Sequence, residues 1–240
     1  MDSTNKVSNR LSAAGLVGAS ALGLALLLGR PGFAESAVAL PPPAATEAAK
    51  GPVEKVVLSG GCFWGVQAVF QHVKGVTEAV SGYAGGKAST ATYPQVSTGR
   101  TGHAESVEVT FDPQVVSYGT ILQIYFSVAH NPTELNYQGP DEGTQYRSEI
   151  FYENQHQKRV ADAYIKQLDA AKSFGKPIVT KVEPLSGFYP AEAHHQNYAT
   201  LNPDSPYIAY NDAPKVQNLS RLFPQIYQAA PKLVTVAGVN

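Results

Sequence analysis

Apolar and polar positions along the chain change period several times, and each change marks an element. Val53-Glu54-Lys55-Val56-Val57-Leu58 is a short β-branched run that reads as a strand. Phe63, Val66, Phe70 and Val73 then recur at helical spacing, and Lys74-Gly75 supplies a stop signal. Val76 to Ser81 reads as a second strand, broken by Gly82-Tyr83-Ala84-Gly85-Gly86. The Gly-, Ser- and Thr-rich stretch from there to His103 reads as a loop, longer than most connections, which points to a site. Val107, Val109 and Phe111 alternate with Ser106, Glu108 and Thr110, the pattern of a half-buried strand closed by Asp112-Pro113. Ser117 caps a helix carrying Tyr118, Ile121, Leu122, Tyr125 and Phe126. A loop follows from His130 to Gln145, then a strand from Tyr146 to Tyr152 and a helix from its cap Asn154 through Lys172. Ile178 to Val182 is a further strand, and the remainder is mostly loop, with short helices near 191–201 and 214–227.

The core elements thus run β-α-β-β-α-β. That order predicts an α+β fold, a two-layer ferredoxin-like (split βαβ) sandwich with helices on one face of a largely antiparallel sheet and a loop-rich C-terminal extension. A chain of 240 residues that is 43% hydrophobic can fill one good-sized core of about 180 residues, with appendages to spare. The folded domain is expected over 53–240.

Residues 1–50 differ in kind. Lys6 and Arg10 precede an apolar stretch from Leu11 to Leu28, and Gly32-Phe33-Ala34 gives a small-x-small pattern, with Ala37-Val38-Ala39 as a second option for cleavage. Residues 1–34 therefore read as a signal peptide or, uncleaved, as an N-terminal anchor, since the apolar run approaches the length of a membrane span. Residues 35–52, with Leu40-Pro41-Pro42-Pro43, read as a flexible or extended linker. The expected location is outside the cytoplasm, periplasmic or secreted, with membrane attachment only if the leader is retained.

A formal net charge of −1 without acidic or basic blocks gives no electrostatic footprint for nucleic acid. The single cysteine excludes an intramolecular disulfide and any multi-cysteine zinc site, and no metal centre is expected from the scattered histidines.

That cysteine lies in Gly60-Gly61-Cys62-Phe63-Trp64-Gly65, beside the single tryptophan. It falls where a strand ends, two glycines turn the chain and a helix begins. Free backbone N–H groups and the positive end of the helix dipole face such a position and favour thiolate over thiol, so Cys62 reads as a nucleophile. The plainer alternative is a small core residue. Three further groups sit in loops or at strand ends. Glu105, in Gly102-His103-Ala104-Glu105, is either an exposed strand-end carboxylate or, held among aromatics near the sulfur, an acid with a raised pKa. Tyr93 lies in the glycine-rich loop. Asp141 and Tyr146 lie in Gly139-Pro140-Asp141-Glu142-Gly143-Thr144-Gln145-Tyr146-Arg147-Ser148. Phenols can hydrogen-bond a polarised oxygen without titrating at neutral pH. A rival pairing of Cys62 with His194 or His195 and Asn197 would make a thiol hydrolase, but Phe63 stands where a papain-like enzyme has tryptophan. A domain that binds without catalysis is a third class, which nothing in the sequence favours.

Taken together, Gly61-Cys62-Phe63-Trp64-Gly65, Gly82-Tyr83-Ala84-Gly85-Gly86, Thr101-Gly102-His103-Ala104-Glu105 and Gly143-Thr144-Gln145-Tyr146-Arg147-Ser148 closely resemble the A-type peptide methionine sulfoxide reductases. The similarity runs from about Val53 to Tyr227 and makes 53–240 the catalytic domain. The resemblance implies reduction of methionine S-sulfoxide, free or in proteins, as repair after oxidation. It implies that Cys62 attacks the sulfoxide sulfur, that Glu105 protonates the oxygen while Tyr93 and Tyr146 hydrogen-bond it, and that Phe63 and Trp64 hold the terminal methyl group. Asp141 is expected to shape the substrate pocket. The product form is a Cys62 sulfenic acid. Many family members carry further cysteines that resolve it, and none is present here. No bound cofactor is implied; the reductant is an external thiol, either a thioredoxin-like protein or a small thiol. The partners are then oxidised proteins or peptides and that reductant, and the chain is expected to be a monomer. Two departures from the family pattern are His130-Asn131-Pro132 and Ala193 in the Glu192 to Gln196 segment.

Overall fold

A computed structural model describes residues 37–45 and 51–235. The leader read over 1–34 and part of the linker, residues 35–36 and 46–50, lie outside the described residues. No helix among the described residues is long and apolar enough to cross a membrane.

The chain is mixed α+β and is built on one six-stranded sheet. In chain order the elements are β1 Glu54–Ser59, α1 Phe63–Gln71, β2 Val76–Ala84, α2 Tyr93–Val96, β3 Ala104–Phe111 and α3 Tyr118–Ile124. After them come β4 Tyr137–Gln138, β5 Asp141–Glu142, β6 Glu149–Tyr152, α4 Gln155–Ala170, β7 Lys181–Pro184, β8 Phe188–Pro190, α5 Tyr198–Leu201 and α6 Ala213–Leu222. The sheet runs β7-β6-β1-β3-β2-β8, and β4-β5 is a separate hairpin. Every pairing is antiparallel except β6 with β7, which α4 joins as a crossover.

Local sequence explains most of these boundaries. Ser117 Oγ accepts the Thr120 N–H at the start of α3, and Asn154 Oδ1 accepts the Gln157 N–H at the start of α4, each cap contributing about 1 kcal/mol. The helix after Ser117 continues as a π-turn over Tyr125–Ala129. Helix α1 is buried along almost its whole surface, Trp64 apart, so it forms the centre of the core rather than one face of it.

Two expectations need correcting. Gly82-Tyr83 does not break β2, which continues to Ala84. The glycine serves a close approach instead: a Cβ at Gly82 would stand 2.4 Å from Phe188 Cζ and 2.5 Å from the Tyr189 carbonyl oxygen, so its absence lets β8 pair against β2. The strand expected from Tyr146 begins only at Glu149, because Thr144–Tyr146 forms a 3₁₀ turn. Strand β8, helix α2 and hairpin β4-β5 lie where the sequence reads as loop.

Residues 37–45 lie extended across α3 and α4. Val38 N–H donates to the Ser127 carbonyl at 3.0 Å, Gln123 Nε2 to Leu40 O at 2.7 Å, and Tyr164 Oη to Pro41 O at 2.7 Å. Gln167 holds the segment through both ends of its amide, donating to Pro42 O and accepting from Ala44 N–H.

Candidate active site

The junction between β1 and α1 has the form its sequence dictates. Gly61 adopts φ +86°, a left-handed conformation that costs glycine little, and a Cβ there would stand 2.7 Å from Gln138 Cβ. Cys62 follows as the N-cap of α1, 9% exposed. The helix end does point at the sulfur, and the Trp64 N–H lowers the thiol pKa, but that effect does not decide the ionisation state. Burial pushes the thiol well up, reinforced by the nearby carboxyl groups of Glu105, Asp212 and Asp141. The thiolate expected from the helix dipole is therefore not the resting form: at neutral pH Cys62 is a thiol.

Strand β3 supplies Glu105. It shares the parity of Val107, Val109 and Phe111, so its side chain enters the same interior face as theirs. It is 2% exposed, which removes the reading of a solvated strand-end carboxylate. Its Oε2 accepts the Phe63 N–H at 3.1 Å, one residue beyond the cysteine. Burial raises its pKa to about 8 despite that bond, with Asp141 and Asp212 adding to the rise, so the group is largely a neutral acid at pH 7.

The two phenols arrive from separate loops. Tyr93 is the first residue of α2, and Tyr146 closes the 3₁₀ turn Thr144–Tyr146. Burial raises both pKa values, and both feel Glu105, Cys62 and Asp141, so both remain neutral donors beside the sulfur and the acid. Arg147 anchors the second loop. Its Nη1 donates to Thr144 O at 2.9 Å and its Nη2 to Gly102 O at 3.0 Å, while Nε meets Glu149 Oε2 at 2.5 Å. One guanidinium thus ties the Tyr146 turn to the turn that opens β3.

Aromatic rings form the remaining wall. Trp64 stacks on Tyr198 with centroids 3.8 Å apart and meets the edge of Tyr207 at 5.9 Å. Its Nε1–H donates to His195 Nδ1 at 3.3 Å. The Tyr207 hydroxyl donates in turn to Asp141 Oδ2, so Asp141 reaches the wall through Tyr207. The His195 ring also lies 5.2 Å from Phe63 and 4.4 Å from Tyr93. Burial lowers the His195 pKa to about 4, and with Nδ1 engaged by the indole it is a neutral spacer. That leaves the hydrolase pairing of Cys62 with His195 without a hydrogen bond to carry it.

A buried amide network holds the 191–197 stretch in place. Gln67 Nε2 of α1 donates to Ala79 O at 2.9 Å and to Gln196 Oε1 at 2.8 Å, and Gln196 Nε2 donates to Ser81 O at 2.8 Å and Ala191 O at 3.1 Å. The Asn197 N–H donates to Gln67 Oε1 at 2.8 Å.

The structure therefore brings together Cys62, Phe63, Trp64, Tyr93, Glu105, Asp141 and Tyr146, which the sequence singles out from scattered positions. His195 and Tyr198, which the sequence analysis does not assign to this site, line it. Tyr207 and Arg147 also belong to its frame; Arg147 is carried in the sequence only inside the longer 143–148 motif. Among the described residues no cluster of histidine, cysteine and carboxylate side chains is arranged to hold a metal ion.

The fold agrees with that of the relatives of the chain. Residues 54–226 match the family model described as peptide methionine sulfoxide reductase. A peptide methionine sulfoxide reductase MsrA 2 of Mesorhizobium japonicum is 63% identical over 185 residues, covering 77% of this chain and 95% of its relative. Among solved structures, methionine sulfoxide reductase A of Corynebacterium diphtheriae is 33% identical with a TM-score of 0.55, covering 72% of this chain and 87% of that one. Mxr1 from Saccharomyces cerevisiae in reduced form is 30% identical with a TM-score of 0.58, covering 66% and 91%. The chain belongs to the peptide methionine sulfoxide reductase family, and it is an oxidoreductase.

Proposed function

We propose that this chain reduces methionine S-sulfoxide, free or in proteins, through Cys62 and Glu105. The observation that carries the reading is the buried Glu105 carboxyl, neutral near pH 7 and bonded to the N–H beside Cys62. A sulfoxide sulfur is a poor electrophile until its oxygen is protonated. Glu105 passes its proton to that oxygen as Cys62 Sγ attacks the sulfur, and Tyr93 and Tyr146 donate to the developing charge. The thiol proton then returns to Glu105 while the oxygen moves onto Cys62. The products are the methionine thioether and a Cys62 sulfenic acid, so atoms and electrons balance without another reactant. Phe63 and the wall around Trp64 take the terminal methyl group, and that apolar seat selects one epimer.

Turnover needs an external reductant, because each cycle leaves the enzyme oxidised by two electrons, and with a single cysteine in the chain that oxidation stays on Cys62. Two external thiols, from a thioredoxin-like protein or a small thiol, convert the sulfenic acid to thiol and water and leave as a disulfide. The basic-apolar-small pattern of residues 1–34 supports work outside the cytoplasm.

The test is reduction of separated methionine sulfoxide epimers with dithiothreitol as reductant. The S epimer is consumed and the R epimer persists, and Cys62→Ser abolishes the reaction. Equal consumption of both epimers, or activity in C62S, would overturn the reading.

A further inference from the structure

Glu192 stands between β8 and the 3₁₀ turn Ala193–His195, and its carboxylate bridges two tyrosines. Oε2 accepts from the Tyr83 hydroxyl at 2.8 Å, and Oε1 accepts from the Tyr93 N–H at 2.8 Å. The two ends of this bridge differ in kind. Tyr83 is a fixed reference: it is fully buried in β2 and lies directly opposite Glu105 in the β2-β3 ladder. Tyr93 opens a helix of one turn inside the long connection from β2 to β3.

A helix start leaves backbone N–H groups without internal partners. At α2 the cap residue Thr92 makes no side-chain bond, and Pro94 has no N–H to offer. The far end of α2 is pinned by Val96, whose side chain is fully buried. The near end, which carries the phenol, is pinned by Glu192. Burial works against the Glu192 charge, but the Tyr93 N–H and the Tyr83 hydroxyl outweigh it and hold the carboxyl below its ordinary value. An ionised acceptor makes both bonds stronger than neutral ones.

We infer that Glu192 is the positioning residue for Tyr93: anchored on Tyr83, it sets where the Tyr93 phenol stands relative to Glu105 and Cys62. The inference rests on the role proposed above for Tyr93. Glu192 acts through another residue and is not itself catalytic. Its signature is that its effect on rate exists only while the Tyr93 hydroxyl exists.

The experiment is a double-mutant cycle on the single-turnover rate of S-sulfoxide reduction, with C62S as control and circular dichroism on each variant. Y93F is expected to slow the step by about a hundred-fold, the lower end of the range for one donor to a developing oxyanion. E192A should slow it by a similar factor. The double variant E192A/Y93F should be no slower than Y93F within about two-fold, the coupling expected of groups acting as a unit. E192Q should stay within about two-fold of the parent, since its amide oxygen still accepts the Tyr93 N–H and its NH₂ can donate to Tyr83 Oη. If E192A fails to fold, Y83F removes the anchor with little change in volume, and Y83F/Y93F must show the same coupling. A neutral E192A, or losses that multiply in the double variant, would overturn the inference. A neutral Y93F with an inactive C62S would also overturn it, while leaving the roles of Cys62 and Glu105 standing. Activity in C62S would instead defeat the underlying reading of the reaction.

Discussion

The Phe63 N–H donates to Glu105 Oε2 at 3.1 Å, so the acid is hydrogen-bonded to the first helical residue after Cys62. The bond does two things. It aims one carboxyl oxygen at the mouth of α1, leaving the other for a ligand. It also opposes the burial that keeps the group protonated, and burial wins, with a pKa of about 8. The free site therefore carries a thiol and a neutral acid side by side. In the proposed reaction the thiol proton leaves Cys62 for Glu105 only once that carboxyl has given its own proton to the sulfoxide oxygen.

That arrangement fixes the pH dependence. The S-sulfoxide kcat/KM should hold through neutrality and fall as pH rises past about 8, when Glu105 gives up its proton. Glu105→Gln cannot supply a proton and should lose about 100-fold or more, the ordinary contribution of a positioned general acid. A pH profile rising steadily from 7 to 10 would contradict the assignment.

Stability should report the same group. The folded-state pKa of Glu105 is raised from 4.5 to about 8, so between those values the folded chain binds the proton more tightly than the unfolded chain. The contribution of Glu105 to stability is thus greatest at acid pH and declines as pH rises from about 4.5 to about 8. Denaturant titrations at several pH values should show this slope in the parent and a flatter one in E105Q.

Arg147 joins three elements through a planar fork that a lysine cannot reproduce. Arg147→Lys should free the Tyr146 turn from the Gly102 turn and slow the chemical step by roughly ten- to a hundred-fold, the range for a displaced catalytic group. Steady-state rates at saturating substrate measure the loss. An unchanged kcat would mean that Tyr146 is held by other contacts.

Gly82 has no room for a side chain, and β8 is what would move. Gly82→Val should destabilise the fold by about 1–3 kcal/mol through overpacking. It should also lower activity, because β8 leads directly into Glu192 and His195. Thermal unfolding and turnover of the variant would show both effects, whereas loss of stability with full activity would separate β8 from the site.

If residues 1–34 act as a cleaved leader, the docking of residues 37–45 bears on where the chain is trimmed. Val38 donates its N–H to Ser127 O, and Val38 and Leu40 pack against the core. Cleavage after Ala39 would remove the first of these contacts, whereas cleavage after Ala34 would keep them all. Intact mass of protein recovered from outside the cytoplasm should place its first residue at or before Ala37.

How far the sequence reaches can be judged from particular residues. The α+β class, the β1-glycine-α1 junction and the capped starts of α3 and α4 follow from local pattern, because each depends on neighbours within a few positions. The burial of Glu105 was there in its parity with Val107, Val109 and Phe111. What escaped depends on distant partners. Gly82 signals a break unless Phe188 is known to lie across it. His195 and Tyr198 become part of the site only when Gln196 and Asn197 lock onto Gln67 of α1. The ionisation of Cys62 went the other way from the local expectation for the same reason: the helix end is local, while the carboxyls of Glu105, Asp141 and Asp212 come from three other parts of the chain.

The most direct test of the central claim is an anaerobic single turnover without added thiol, followed by mass spectrometry of Cys62. One equivalent of methionine should form and stop, with one added oxygen on Cys62 that dithiothreitol removes. Methionine formed beyond one equivalent without reductant, or an unmodified Cys62 after the first equivalent, would contradict it.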